Sequence, residues 1–243
     1  GCNAASPTQY GSTVAIGNVV VSPSEFMPRL FAENGRLLDS QGRITLDTPE
    51  ALRALENYRE TYSYSDRTIY DFWKNALEGF ADGTAAMTVV FINYASHILN
   101  SQMSRIAGKL GFAPVPGGKP LLGGGVIGIA QSCTCPAAAC KFLEWLYADL
   151  VAPVFTMLGG LSPCRSAYSN RDISEQYPWL STARKSFPTA QRRSNSTYYQ
   201  NFSELQLETI LAAHVQQAVL GVCSPEEALK QAQEDCNRYF QPW

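Results

Sequence analysis

The stretch Phe80-Ala81-Asp82-Gly83-Thr84-Ala85-Ala86-Met87, continued by Thr88-Val89-Val90-Phe91-Ile92, decides the fold class. A helix runs from Phe72 to Ala81, and Gly83 supplies the left-handed residue that closes it. Ala85 to Ile92 then reads as a strand carried by Met87, Val89 and Phe91. Helix, turn and strand in direct succession predict an α/β architecture.

Working outward from there, Thr48 as N-cap with Pro49 at the first helical position opens a helix whose face is Leu52, Leu55, Tyr58 and Tyr62. Asp39-Ser40-Gln41-Gly42 is turn chemistry between Leu37-Leu38 and Ile44 to Leu46, a small β-excursion. Pro23 to Glu33 has Phe26, Leu30 and Phe31 at helical spacing and stops at Asn34-Gly35. Thr13 to Val21 reads as a buried strand, and residues 1–9 as a linker. Downstream, Gly111 to Val115 and Val126 to Ala130 read as two strands, separated by Pro116-Gly117-Gly118 and the triple glycine 123–125. Pro136 opens a helix running through Leu146 and Tyr147 towards Met157, ended by Gly159-Gly160. Ser166 to Tyr198 predicts a short helix or two with irregular connections. Ser203 to Leu220 is amphipathic with Gly221 past its end, and Ser224-Pro225-Glu226-Glu227 is a capping box that opens the last helix.

With 243 residues, 45% hydrophobic and 16% charged, the chain can bury one sizeable core or two modest ones. Nineteen Lys and Arg against twenty-one Asp and Glu leave a formal charge of −2. No basic stripe stands ready to displace counterions, which argues against nucleic-acid binding. Val19 to Val21 and Gly123 to Ala130 fall far short of the ~20 apolar residues that cross a bilayer. Gly1-Cys2-Asn3-Ala4 carries no basic segment followed by an apolar one, so no export signal is read there.

Seven cysteines, at 2, 133, 135, 140, 164, 223 and 236, are an odd number and cannot all pair within one chain. Cys133, Cys135 and Cys140 could supply thiolate ligands, but the distant second pair of a zinc site is absent, so no metal is expected. A loop of small residues, or a local or Cys164-linked disulfide, are the other readings. Cys223 and Cys236 sit roughly 18 Å apart along one helix, outside disulfide reach. His97 and His214 lie among apolar residues, as structural imidazoles do. The glycines 123–125 lack the spacing and the following Lys-Ser/Thr of a phosphate loop; they suit a flexible crossing or backbone exposed to a ligand. No Gly-x-Ser-x-Gly or His-Glu-x-x-His is present, and no cofactor is implied. Trp73, Tyr94, Tyr198 and Tyr199 lie at element ends, where an aromatic face can stack on a sugar ring or simply pack half-buried.

In order along the chain come Tyr10-Gly11, Ala32-Glu33-Asn34-Gly35 with Asp39-Ser40-Gln41-Gly42, Asp47-Thr48-Pro49-Glu50-Ala51, and the Phe80 to Met87 stretch. Gly111 to Gly117, Gly124-Gly125 before Ile127, Lys141-Phe142-Leu143-Glu144-Trp145-Leu146, Gly159 to Pro163, and Gly221 with Ser224 to Leu229 follow. Each motif alone is common. The ordered set from Tyr10 to Phe240 resembles the extracellular solute-binding proteins of ABC importers, in the branch that includes the maltose-binding protein.

The resemblance implies a type II periplasmic-binding-protein fold of two α/β lobes that close on a solute like a hinge. It also implies a carboxy-terminal portion: the second lobe at 10–110 and 167–243, and a remnant of the first lobe with crossing strands at 111–166. Carried over by position, Ser22, Ser24 and Glu25 border the cleft, and Trp73 and then Asn93 or Tyr94 are the aromatic and post-strand positions. Gly124 and Gly125 match the glycine pair that brings backbone near the solute, with Val126 where many relatives place an aromatic residue. Tyr198, Tyr199 and Asn201 precede the penultimate helix, a region that contributes to the pocket. Arg165 sits at the last crossing as a hinge or ligand contact. The tryptophan that the maltose-binding protein has after the Met87 strand is lacking, which argues against a maltodextrin.

The implied mechanism is capture without chemistry of a sugar or oligosaccharide by a monomer, handed to a membrane permease outside the cytoplasm, periplasmic or lipid-anchored. The competing readings are a glycoside-active domain using Glu25 with Glu204, or a sensor using the same cleft.

Overall fold

The computed structural model describes residues 5–17, 19–67, 72–192 and 195–243. Residues 1–4 of the expected linker, with Cys2, lie outside them. In chain order the elements are β1 (Tyr10–Thr13), α1 (Val21–Ala32), α2 (Pro49–Ser63), α3 (Trp73–Ala81), β2 (Ala85–Thr88), α4 (Ala95–Leu99) and β3 (Leu121–Leu122). After them come α5 (Pro136–Leu146), α6 (Val151–Met157), α7 (Arg171–Gln176), α8 (Pro178–Ser186), β4 (Gln191–Arg192), α9 (Glu204–Leu220) and α10 (Pro225–Tyr239).

Two compact units result. Unit 1 is formed by 1–90, 115–121 and 189–243, and unit 2 by 91–114 and 122–188, so the chain passes between them four times. The lobe bounds implied by the resemblance divide the chain at other positions; in these units 91–110 and 167–188 lie with 111–114 and 122–166, and 115–121 lies in unit 1. The reason is the small core of unit 2, where Ala95 and Ala152 pack with Ala167, Tyr168, Trp179, Leu180 and Ala183.

Unit 1 is built on four packed helices, α1, α2, α9 and α10. Phe26, Leu30, Leu55, Tyr58, Leu207, Leu211, Val215 and Leu229 are fully buried among them. The expected caps are present: the side chains of Thr48, Ser203 and Ser224 accept from the N–H groups of Ala51, Gln206 and Glu227, and Gly221 ends α9 at φ +78°. His214, expected to be structural, bridges α9 to α10 through its Nε2, 2.8 Å from Asp235 Oδ2.

The strands depart from expectation. β1 covers Tyr10–Thr13, not Thr13 to Val21, and pairs in parallel with β2 from Tyr10 opposite Ala85 to Thr13 opposite Thr88. Beyond it, Val14–Ile16 is buried outside the β1–β2 pair, and side chains bond three of its backbone groups. Val14 N–H donates to Ser65 Oγ (2.9 Å), Ala15 C=O accepts from Tyr58 O–H (2.6 Å), and Ile16 C=O accepts from Gln216 Nε2 (3.0 Å). Val20 and Val21 enter the helical turn of α1 instead. β2 stops at Thr88, short of Ile92. Gly111 to Val115 and Val126 to Ala130 form no strand, because a strand exists only in a ladder and among the described residues neither segment has one. Val126 is 98% exposed. A bond from Gln191 N–H to Pro120 C=O (2.8 Å) marks the β3–β4 pairing. The single helix expected from Pro136 to Met157 breaks into α5 and α6 at a turn over 147–150.

Within unit 1, the crossing segment at Pro116–Gly118 lies against the end of α1. A Cβ on Gly117 (φ +76°) would meet Ala32 Cβ at 2.3 Å and Ala32 Cα at 2.9 Å, whereas Gly118 (φ +67°) has open space. Gly118→Ala therefore costs only the left-handed backbone strain, about 1 kcal/mol. Gly117→Ala adds a backbone clash and loses at least about twice as much, which urea denaturation of the two variants checks; equal losses contradict this packing.

Candidate functional site

The first two turns of α1 hold the densest group of expected ligand residues. The helix begins without a side-chain cap, after Val19 at φ +56°. That left-handed conformation is strained for a β-branched residue. Ser22, Ser24 and Glu25 follow, all buried, with Trp73 buried at the start of α3. Arg29, one turn after Glu25, places Nη1 3.1 Å from Glu25 Oε2 and also donates to the Glu25 carbonyl. Pro28 removes the helical donor that the Ser24 carbonyl would otherwise use, loosening this turn. The Arg29 guanidinium lies 4.6 Å from the centroid of the Tyr58 ring.

Burial raises the Glu25 carboxyl above its ordinary value, against the lowering pull of the Arg29 charge and of hydrogen bonds from Arg29 and Trp73. Burial likewise raises the Tyr58 phenol, with the Glu25 charge adding to it. Among the described residues, Ser22 Oγ and Arg29 Nε are buried without a hydrogen-bond partner. Each such atom costs about 1–3 kcal/mol unless something reaches it. Arg29 and Tyr58 were not singled out as site residues from sequence. The i, i+4 spacing of Glu25 and Arg29 was the available signal for the first; for Tyr58, only its place on the α2 face.

Tyr198, Tyr199 and Asn201 also belong to unit 1, but the chain itself engages them. Tyr199 is buried against Phe202 and Phe240 and accepts the Ile44 N–H at 2.9 Å. Asn201 donates to the Tyr239 carbonyl and accepts from Gln241 N–H, both at 3.4 Å. Tyr198 is half-buried, edge-on to Tyr199. Two shallow grooves of unit 1, about 510 and 410 Å³, lie between α2 and the α9–α10 turn and are lined by Arg59, Ser63, Gly221 and Ser224 among others. They hold none of the expected residues.

In unit 2, Asn93 is exposed and Tyr94 half-buried on a short 3₁₀ turn at Ile92–Tyr94. The turn at Gly159 (φ +96°) backs onto this group, where a Cβ would meet Ser96 Oγ at 2.3 Å and the Asn93 carbonyl at 3.5 Å. Gly123 abuts Phe91, while Gly124 and Gly125 are exposed with nothing within 4 Å of a would-be Cβ. Arg165 is exposed at the head of another 3₁₀ turn, Arg165–Tyr168. The structure thus gathers Ser22, Ser24, Glu25 and Trp73 in one unit, and Asn93 and Tyr94 with the glycine segment in the other. Among the described residues, no three His, Cys, Asp or Glu side chains converge on a metal position.

Residues 6–182 match the model of a family described as bacterial extracellular solute-binding protein. Among solved structures, maltose-bound MalE3 of T. maritima superposes with a TM-score of 0.80 at 22% identity, over 94% of this chain and 60% of that one. A solute-binding protein of an ABC transporter from Agrobacterium radiobacter K84, in complex with ribitol, gives 0.75 at 21% identity, over 96% and 60%. One from Thermotoga lettingae, bound with α-D-tagatose, gives 0.70 at 25% identity, over 94% and 59%. The fold is the helix-rich α/β, type II periplasmic-binding-protein fold, and the chain spans about 60% of the length of these structures.

The raised Glu25 carboxyl has a defined pH consequence. Above 4.5, its ordinary value, the unfolded chain loses a proton that the folded chain still holds, so Glu25's contribution to stability falls as pH rises through the raised value. Glu25→Gln, which cannot ionise, gains on the unmodified chain in urea midpoint between pH 4.5 and about pH 7. A relative loss over that range means that Arg29 outweighs desolvation.

Proposed function

Because the chain belongs to the bacterial extracellular solute-binding proteins, we propose that it is the solute-capturing component of an ABC importer, taking up a sugar or polyol outside the cytoplasmic membrane for a permease. The observation that carries this reading is the family match over residues 6–182, which includes both the α1 cluster and the 123–125 glycines. The work asked of the protein is binding and release without a bond made or broken. Buried polar atoms and ring faces replace the water around a polyhydroxylated solute.

In unit 1, Ser22 Oγ and Arg29 Nε are unpaired polar atoms closed off from solvent, and a solute hydroxyl admitted by an opening of this turn would lift the cost of leaving them unpaired. Ser24, Glu25 and Trp73 border them, with Tyr198 as a half-buried ring further along. In unit 2, the bare backbone at Gly124 and Gly125 permits close approach, with Asn93, Tyr94 and Arg165 as exposed or half-exposed polar contacts. Glu25 already holds Arg29 and Trp73 in the interior, which is the setting of an orienting carboxylate and not of one presented to a glycosidic oxygen.

Thermal melting of the chain with maltose, ribitol, tagatose and a wider sugar and polyol panel tests the reading. At a hundredfold excess over Kd, a bound solute adds about 2.7 kcal/mol, a rise of roughly 5–10 °C in Tm. Gly124→Ala and Gly125→Ala, having open space around them, keep the unliganded Tm and shrink that rise. No rise with any member of the panel, or conversion of the solute into product, overturns the proposal.

A further inference from the structure

Four thiols lie in unit 2, all free: Cys133 and Cys164 half-buried, Cys135 and Cys140 exposed. Cys133 N–H donates to the Ala130 carbonyl (2.9 Å), closing a turn, and the chain bends at Thr134. Cys135 then caps α5, its carbonyl accepting the N–H groups of Ala138 and Ala139, both at 3.1 Å, with Pro136 fixing the first helical position.

Geometry separates these thiols into one pair and two singles. Two residues of extended chain span at most about 7 Å, the upper end of the ~4.4–6.8 Å that a disulfide accepts, and the chain bends at Thr134 between Cys133 and Cys135. Cys140 follows Cys135 by five helical positions, a rise of about 7.5 Å, which exceeds that range. Cys164 is further still: its Sγ donates to the Tyr147 carbonyl at 3.6 Å, and Tyr147 lies seven positions past Cys140, about 10 Å along the axis. Lys141 is the lone charged residue from Gly123 to Leu143, so no carboxylate of that segment repels an anionic reagent.

We propose that Cys133 and Cys135 are a dithiol–disulfide couple, closed by a small-molecule disulfide such as glutathione disulfide, in which Cys140 and Cys164 take no part. One cysteine thiolate attacks glutathione disulfide and expels one glutathione thiolate, forming a mixed disulfide. The second cysteine thiolate attacks the protein sulfur, expels the other glutathione and closes the Cys133–Cys135 bond. Both cysteine sulfurs are oxidised and glutathione disulfide is reduced to two glutathiones, which take up the two protons that the cysteines release. The closed bond ties the first turn of α5 to the 130–133 turn, so the stability of that junction follows the redox poise around it.

The test is titration of the chain with glutathione disulfide, an iodoacetamide quench and peptide mapping by mass spectrometry. Alkylation of Cys133 and Cys135 is lost together, with their peptide lighter by two hydrogens, while Cys140 and Cys164 stay alkylated. Cys133→Ser halts the reaction at a glutathione adduct on Cys135, and Cys140→Ser changes nothing. Continued alkylation of both residues in excess glutathione disulfide, a lasting glutathione adduct on either in the unmodified chain, or a bond to Cys140 overturns the proposal.

Discussion

A buried run of backbone beyond the end of β1, outside its ladder, is the constraint around which unit 1 is arranged. Val14–Ile16 is removed from water, and unpaired amide groups there would each cost a desolvation penalty. Tyr58 of α2, Ser65 just past α2 and Gln216 of α9 supply the missing partners. α2 with the residues just past it, and α9 far later in the chain, are thereby tied to one short segment. The parallel β1–β2 pair ends where these side chains take over.

Tyr58 couples that framework to the candidate site. Its hydroxyl holds Ala15 while its ring receives the Arg29 guanidinium, which in turn pairs with Glu25. An ion pair this deep gains little net stability over an apolar substitute, because both charges surrender their hydration. Its persistence beside a strained Val19 and unpaired Ser22 and Arg29 atoms suits a region selected for recognition at some expense to stability. Ser22, Ser24 and Glu25, proposed above as solute contacts, lie in the same first turns of α1.

What was legible in the sequence was local. Caps at Thr48, Ser203 and Ser224 and the left-handed glycines 83 and 221 act through bonds a few residues long, so their spacing discloses them. Their order along the chain also carried the family resemblance. Strands are a different matter, since Val126 to Ala130 has the composition of one and no ladder among the described residues. The same limit applies to the site. Tyr199 reads as a free aromatic handle until its hydroxyl is found at the Ile44 amide, 155 residues away. Beyond its spacing from Glu25, nothing in the sequence sets Arg29 apart until the packing of α1 on α2 brings it beside Tyr58.

The fourfold passage between units has a consequence for biosynthesis. Unit 1 draws its first helices from residues before 91 and its last two from residues after 189, and bonds such as Gln216 to Ile16 join positions 200 apart. As the chain leaves the ribosome, α1 and α2 can pack on each other, but the surfaces that α9 and α10 cover stay bare until those helices emerge, after the whole of unit 2 has been made. Such late closure slows folding and invites chaperone engagement during the interval.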